Sequence, residues 1–188
     1  MEFGTHFFLI TCPFFHSCGK ENRPHSILLN KQEGMNFNMN ERFKSLSAVI
    51  LFLTRNSDNG EEILFQKRKN TGYSDGKYDL AVSGHVEANE SMKHAMCREA
   101  EEELGIKIDE KDLEFVCLIH KNSGNGAIYY NGYFKAKKWS GKPIINEPEK
   151  NEELKWFNIN NLPTNIVDDR AIAVENYKKN IKYNEYGW

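Results

Sequence analysis

The chain has little that would commit it to a membrane, a nucleic acid or a disulfide scaffold. Its formal net charge is −2, so there is no general electrostatic case for binding nucleic acid or a membrane surface. Only four cysteines occur in 188 residues: Cys12, Cys18, Cys97 and Cys117. They form no Cys-x-x-Cys pair and no zinc-type spacing, which excludes a disulfide framework and a structural zinc site. Cys97 and Cys117 fall in a helix pattern and a strand pattern, where buried, reduced thiols are ordinary. A reducing, cytoplasmic setting is the expectation. The apolar run Phe7 to Phe15 is broken by Pro13 and is too short to span a bilayer. It also lacks the basic flank and small-residue cleavage site of a signal peptide. No internal repeat or low-complexity tract is visible.

What is present suffices for one globular domain: 39% of residues are hydrophobic and 12% aromatic. The first forty residues do not share that character. From Ser17 to Asn40 the chain is polar and aperiodic. The expected division is an irregular leader over 1–40, poorly ordered or non-native, and a folded domain over 41–188. A genuine extension that pairs with the sheet or with a partner is the alternative.

Within the domain, Ser45 to Thr54 is a dense apolar run that reads as a buried strand. The cluster Asn56 to Gly60 is a turn, and Ile63 to Arg68 returns as the second strand of a hairpin. Asn70 to Lys77 is a loop, and Tyr78 to Ser83 a short strand. Later strands are expected at Leu113 to His120, Ala127 to Ala136 and Leu154 to Phe157. Asp168 and Asp169 are placed to cap a last helix from Arg170 to Ile181.

The chain is organised around Gly84 to Ile106. After Glu90 the residues favour a helix, with Ser91 or Asn89 as N-cap and Gly105 as the stop. At about 100° per residue, Glu99, Glu102 and Glu103 share one helix face. Three carboxylates on one face repel each other, and a hard divalent cation joined to phosphate oxygens would compensate them. A solvated acidic face is the plain alternative. The fuller pattern runs Gly84, Glu90, Arg98-Glu99, Ala100, Glu102-Glu103, Gly105, Ile106. It resembles the signature box of the Nudix hydrolases, with every specified position filled.

That resemblance is sharp over the box and looser over about Ser45 to Tyr177. It implies the Nudix fold: an α+β, α/β/α sandwich with a mixed, curled sheet between helices. It implies Mg²⁺ or Mn²⁺ held by Glu99, Glu102 and Glu103, with the Ser83 backbone carbonyl as a further donor. It implies that Glu90 pairs with Arg98 and that Gly84 and Gly105 are structural. One more Glu is expected from the loop before the Trp156 strand. Glu147 is the first choice, with Glu149 and Glu152 as rivals. Lys67 and Arg68 are candidate polyphosphate contacts, or simply two solvated residues at a strand end. The aromatic residues of the Ala127 to Ala136 strand are a nucleoside wall or plain core.

The implied chemistry is hydrolysis of a nucleoside diphosphate linked to a group X. Relatives acting on ADP-ribose tend to carry a Pro about sixteen residues past the box, and those acting on dinucleoside polyphosphates a Tyr nearby. Here the neighbourhood is His120-Lys121-Asn122-Ser123. By elimination a nucleoside triphosphate is expected, with an oxidised one such as 8-oxo-dGTP as a candidate, giving monophosphate and pyrophosphate. Other NDP-X substrates (ADP-ribose, nucleotide sugars, dinucleoside polyphosphates) stay open. So does a non-catalytic nucleotide-sensing module, against which the intact carboxylates argue. The expected partner is a small nucleotide, with no nucleic acid and no membrane, for a monomer or homodimer.

Overall fold

The computed structural model describes residues 43–188; the expected leader over 1–40 lies outside them. Eight strands and two helices follow in the order β1 (Leu46–Ser57), β2 (Gly60–Arg68), β3 (Tyr78–Leu80), β4 (Val82–His85), α1 (Met92–Leu104), β5 (Leu113–Asn122), β6 (Ile128–Ala136), β7 (Asn151–Asn158), α2 (Asp168–Lys179) and β8 (Tyr183–Tyr186). The strands form a mixed sheet ordered β3-β2-β1-β6-β5-β8, with β4 paired to β1 and β7 to β2. β1–β6 and β5–β8 are parallel, and β1–β2 is an antiparallel hairpin. Among the described residues no helix is long and apolar enough to cross a membrane.

β1 explains the architecture. Successive strand side chains point to opposite faces, and both faces of β1 are covered. Val49, Leu51 and Leu53 join a core with Ala95, Met96, Ala100 and Leu104 of α1. Ile50 and Phe52 join a second core with Ala173 and Val174 of α2. A strand buried on both sides must be apolar throughout, which is how Ser45 to Thr54 reads. The result is the expected sandwich of a mixed sheet between helices.

The run Tyr78 to Ser83 is not one strand. Tyr78–Leu80 pairs with β2, whereas Val82–His85 pairs with β1. The chain changes partner at Ala81, which carries Ser83 and Gly84 from the hairpin to the sheet centre. β8 is an element that sequence periodicity did not indicate; it exists by pairing in parallel with β5.

Asp168 and Asp169 do not cap α2. Its N-cap is Val167, with no side-chain cap bond. Asp168 instead accepts from Lys77 at 2.7 Å, and Asp169 turns into the protein interior, 1% exposed. Their negative charge still lies in the first turn, where it complements the helix dipole.

Candidate active site

The helix α1 is capped as its sequence requires. Ser91 Oγ accepts from the His94 N–H, and Gly105 ends the helix in the left-handed region, at φ 66°. Glu90 lies before this helix rather than on it. That position lets its carboxylate accept a two-pronged bond from Arg98: Nε to Oε1 at 3.0 Å and Nη2 to Oε2 at 3.1 Å. Arg98 Nη2 also donates to the His85 carbonyl. Arg98 therefore ties the loop after Gly84 to the helix, as a forked guanidinium can. Its charge-assisted bond holds the Glu90 carboxyl down at about 2.

The three glutamates of the shared face occupy different environments. Glu102 is exposed and accepts from Arg98 Nη1 at 3.0 Å. Glu99 accepts from the same nitrogen at 2.9 Å. Burial pushes its carboxyl above the ordinary value despite Arg98. Glu103 is the most enclosed. Gln66 Nε2 donates to it at 3.3 Å and the Ser83 N–H at 3.4 Å. Burial, then the charge of Glu99, push it up to about 8. Gln66 was not indicated by the sequence pattern; it faces Glu103 because it shares a face of β2 with Leu64.

Gly84 is fixed by close approach. A Cβ at this position would overlap the Glu99 side chain, so only glycine lets the β4 backbone lie against that carboxylate.

The loop that carries Glu147 comes close to this group. The loop before β7 docks on the C-terminal end of α1: the Asn146 N–H donates to the Glu103 carbonyl and Asn146 Nδ2 to the Glu102 carbonyl. Glu147 then adds its negative charge at Glu103, while Lys150 bonds it at 2.6 Å. Glu152 is drawn away: it lies on β7 and pairs with Lys67 at 2.6 Å. Lys67 is thereby engaged, whereas Arg68, the next residue of the strand, points the other way; the extra residue of the β2–β7 register shift is Glu152 itself.

Arg68 lines a cavity of about 330 Å³ that begins at Ser83, Gly84 and His85, toward the lower end of small-molecule pockets. His85 and Tyr129 flank it with ring centroids 5.8 Å apart. Of the β6 aromatics, only Tyr129 is such a wall. Tyr133 is fully buried, Phe134 is core, and Tyr130 stacks outward on His120.

Beneath the cavity lies an ion network. Asp79 accepts from Arg68 at 3.0 Å and Arg170 at 2.8 Å. Asp169 accepts from Arg170 at 2.6 Å and pairs with Lys121 at 3.3 Å. Tyr73 leans over this floor, its hydroxyl accepting from Lys121 at 3.0 Å. Asp79 links the two regions, since its charge is felt at Glu103. Sequence reasoning missed Asp79, Lys121 and Arg170. The available signal was a charged residue inside an otherwise apolar strand, as in Tyr78-Asp79-Leu80.

Among the described residues, no three His, Cys, Asp or Glu side chains converge as a ready metal cage. Arg98 Nη1 stands between Glu99 and Glu102 instead. The donor set nevertheless fits a hard divalent cation. It consists of carboxylate oxygens, and the half-buried Glu99–Glu103 pair carries repulsion that Arg98 does not remove.

The family described as NUDIX domain matches residues 44–177. The fold is similar to the MutT NUDIX hydrolase of Burkholderia pseudomallei, at 30% identity, with 71% of this chain and 98% of that one covered and a TM-score of 0.62. It is also similar to the NUDIX domain of Shewanella oneidensis NrtR complexed with ADP ribose, at 17% identity, 78% and 95% coverage and a TM-score of 0.61, which bears on fold alone. The NAD-capped RNA hydrolase NudC of Stutzerimonas stutzeri is 26% identical over 118 residues, covering 62% of this chain. The chain spans about a third of the length of the curated relatives it matches, 37% and 32%.

Proposed function

The chain belongs to the Nudix family, and from that premise we propose that it is a pyrophosphohydrolase acting on a nucleoside diphosphate linked to X, with a nucleoside triphosphate as the favoured substrate. The observation that carries the reading is the contiguity of two regions. A helix face with half-buried and exposed carboxylates meets, at Ser83 and Gly84, a cavity flanked by aromatic rings.

Glu99, Glu102 and Glu103 would hold Mg²⁺ or Mn²⁺, with the Ser83 carbonyl as a further donor. When bound, the cation supplies charge neutralisation at the pyrophosphate and a water of lowered pKa. The chain's own groups do the rest. Glu99 and Glu147 are the carboxylates available to take the proton of the attacking water. Arg98 keeps Glu99 and Glu102 oriented and holds the His85 loop against the helix. Gln66 and the Ser83 N–H fix the Glu103 oxygen. Arg68 stands at the cavity wall, where a guanidinium can stabilise a departing phosphate.

The test is a Mg²⁺ assay over nucleoside triphosphates, 8-oxo-dGTP, ADP-ribose, diadenosine polyphosphates and nucleotide sugars, with Glu102→Gln alongside. Release of pyrophosphate and monophosphate from triphosphates, lost in the variant, is the expected result. Turnover of ADP-ribose alone would keep the hydrolase and replace the substrate. Binding without turnover of any compound would overturn the enzyme in favour of a sensing module.

A further inference from the structure

The cavity floor carries a charge pattern that cleavage of one pyrophosphate does not use. Three cations, Arg68, Lys121 and Arg170, meet two carboxylates, Asp79 and Asp169. The innermost cations are nearly shielded from water, Arg170 at 7% and Lys121 at 9% exposure, while Arg68 at the edge of the network also feels the charge of the exposed Asp75. The network is thus rich in cations where solvent screens little, and a ligand of negative charge is favoured there.

The hydrogen bonds point the same way. All four carboxylate oxygens are engaged inside the network. Asp79 Oδ1 accepts from Arg170 Nε and the Leu80 N–H, and Oδ2 from Arg68. Asp169 Oδ1 faces Lys121, and Oδ2 accepts from Arg170 Nη1, Asn131 and Tyr133. The donors are not exhausted. Arg170 donates through Nε and Nη1, and its Nη2 has no partner among the described residues. Lys121 has three protons for two partners, Tyr73 and Asp169. Both side chains line the cavity, with Ser123 and Asn125 at its rim. The carboxylate oxygens are covered, whereas Arg170 Nη2 and one Lys121 proton are free, which suits a group rich in negatively charged oxygen.

We propose that the cavity is an oxyanion subsite that takes a phosphate group standing apart from the scissile pyrophosphate, with Arg170 Nη2 and Lys121 as its contacts. It rests on the NDP-X reading for its place in the substrate, and it narrows the substrate class. The nucleotide carries a further phosphate, as on a ribose hydroxyl, or inorganic phosphate occupies the same donors as a separate ligand.

The test is calorimetric titration of the full chain with inorganic phosphate in EDTA, which removes any dependence on turnover. Wild type should bind at one site. Arg170→Lys keeps the charge but loses Nη2, and should weaken binding by about tenfold. Asn125→Asp keeps the Oδ1 that accepts from the Ala127 N–H and adds a negative charge at an exposed rim position. It should weaken binding by about threefold, and it decides the matter if Arg170→Lys does not fold. Glu102→Gln should bind as wild type. A nucleoside 5′-triphosphate with a 3′-phosphate is then compared with the plain triphosphate. A higher kcat/KM for the first, lost in Arg170→Lys, assigns the site to the substrate; equal values with phosphate bound assign it to free phosphate. Absence of phosphate binding, or binding unchanged in both cavity variants, overturns the proposal. If no nucleotide is hydrolysed but phosphate binds through Arg170, the subsite stands and the hydrolase reading falls.

Discussion

Replacing Gly84 by Ala places a methyl group where the Glu99 side chain lies. The built Cβ overlaps that side chain, whereas ordinary contact begins at 3.4 Å. Glu99 must therefore retreat by about 1 Å or more, or β4 must move. A misplacement of about 1 Å costs roughly 100-fold in rate, and overpacking costs about 1–3 kcal/mol. At about 2–4 °C per kcal/mol for a domain of this size, Tm should fall by roughly 2–12 °C. The assays are kcat on the best substrate of the Mg²⁺ panel and calorimetric Tm. The same substitution in a Glu99→Ala background separates the cause. With the carboxylate gone the overlap is gone, so Gly84→Ala should then cost almost no stability. An equal Tm loss in both backgrounds, or a kcat within about threefold of wild type, would refute the close-approach argument.

Further outcomes are expected elsewhere. Arg98→Lys keeps the charge but loses the fork to Glu90 and the His85 carbonyl, and should lower unfolding stability in urea by about 1.5–3 kcal/mol. Glu102→Gln, at an exposed position, should change stability by no more than about 0.5 kcal/mol while suppressing turnover. In EDTA, Glu103→Gln should melt above wild type, because a neutral amide replaces a half-buried carboxylate beside Glu99; millimolar Mg²⁺ should raise the wild-type Tm and leave the variant unmoved. Asp169→Asn tests the buried network through pH. Burial works to raise that carboxyl, but Arg170 and Lys121 outweigh it and hold it below its ordinary value. A depressed folded-state pKa stabilises above the unfolded value and is lost as pH falls through the folded one. The variant should cost about 3–5 kcal/mol at pH 7, and its gap to wild type should narrow below about pH 4. A gap that does not change with pH would remove Asp169 from the network's charge balance.

Local chemistry by itself determined the helix and its glutamates. Ser91, the run Met92 to Leu104 and Gly105 specify a capped helix regardless of surroundings. The spacing of Glu99, Glu102 and Glu103 follows from helical geometry, and the resemblance in the box supplied the Glu90–Arg98 pair that the fold contains. The apolar run of β1 likewise announced a strand covered on both faces. What needed the tertiary structure is everything set by partners distant in sequence. Whether Glu103 is half-buried and Glu102 exposed depends on Gln66 and Ser83 coming from other strands. Lys67 and Arg68, adjacent in the chain, point opposite ways as strand neighbours do, but only the fold supplies Glu152 to the one and Asp79 to the other. Asp169 looks like a helix cap from its neighbours, yet it is an interior anion because Lys121 and Arg170 converge on it. Periodicity reports which face of an element is apolar; it carries no information on which charged residues from four separate segments meet beneath one cavity, and that meeting leaves the pocket with unspent donors.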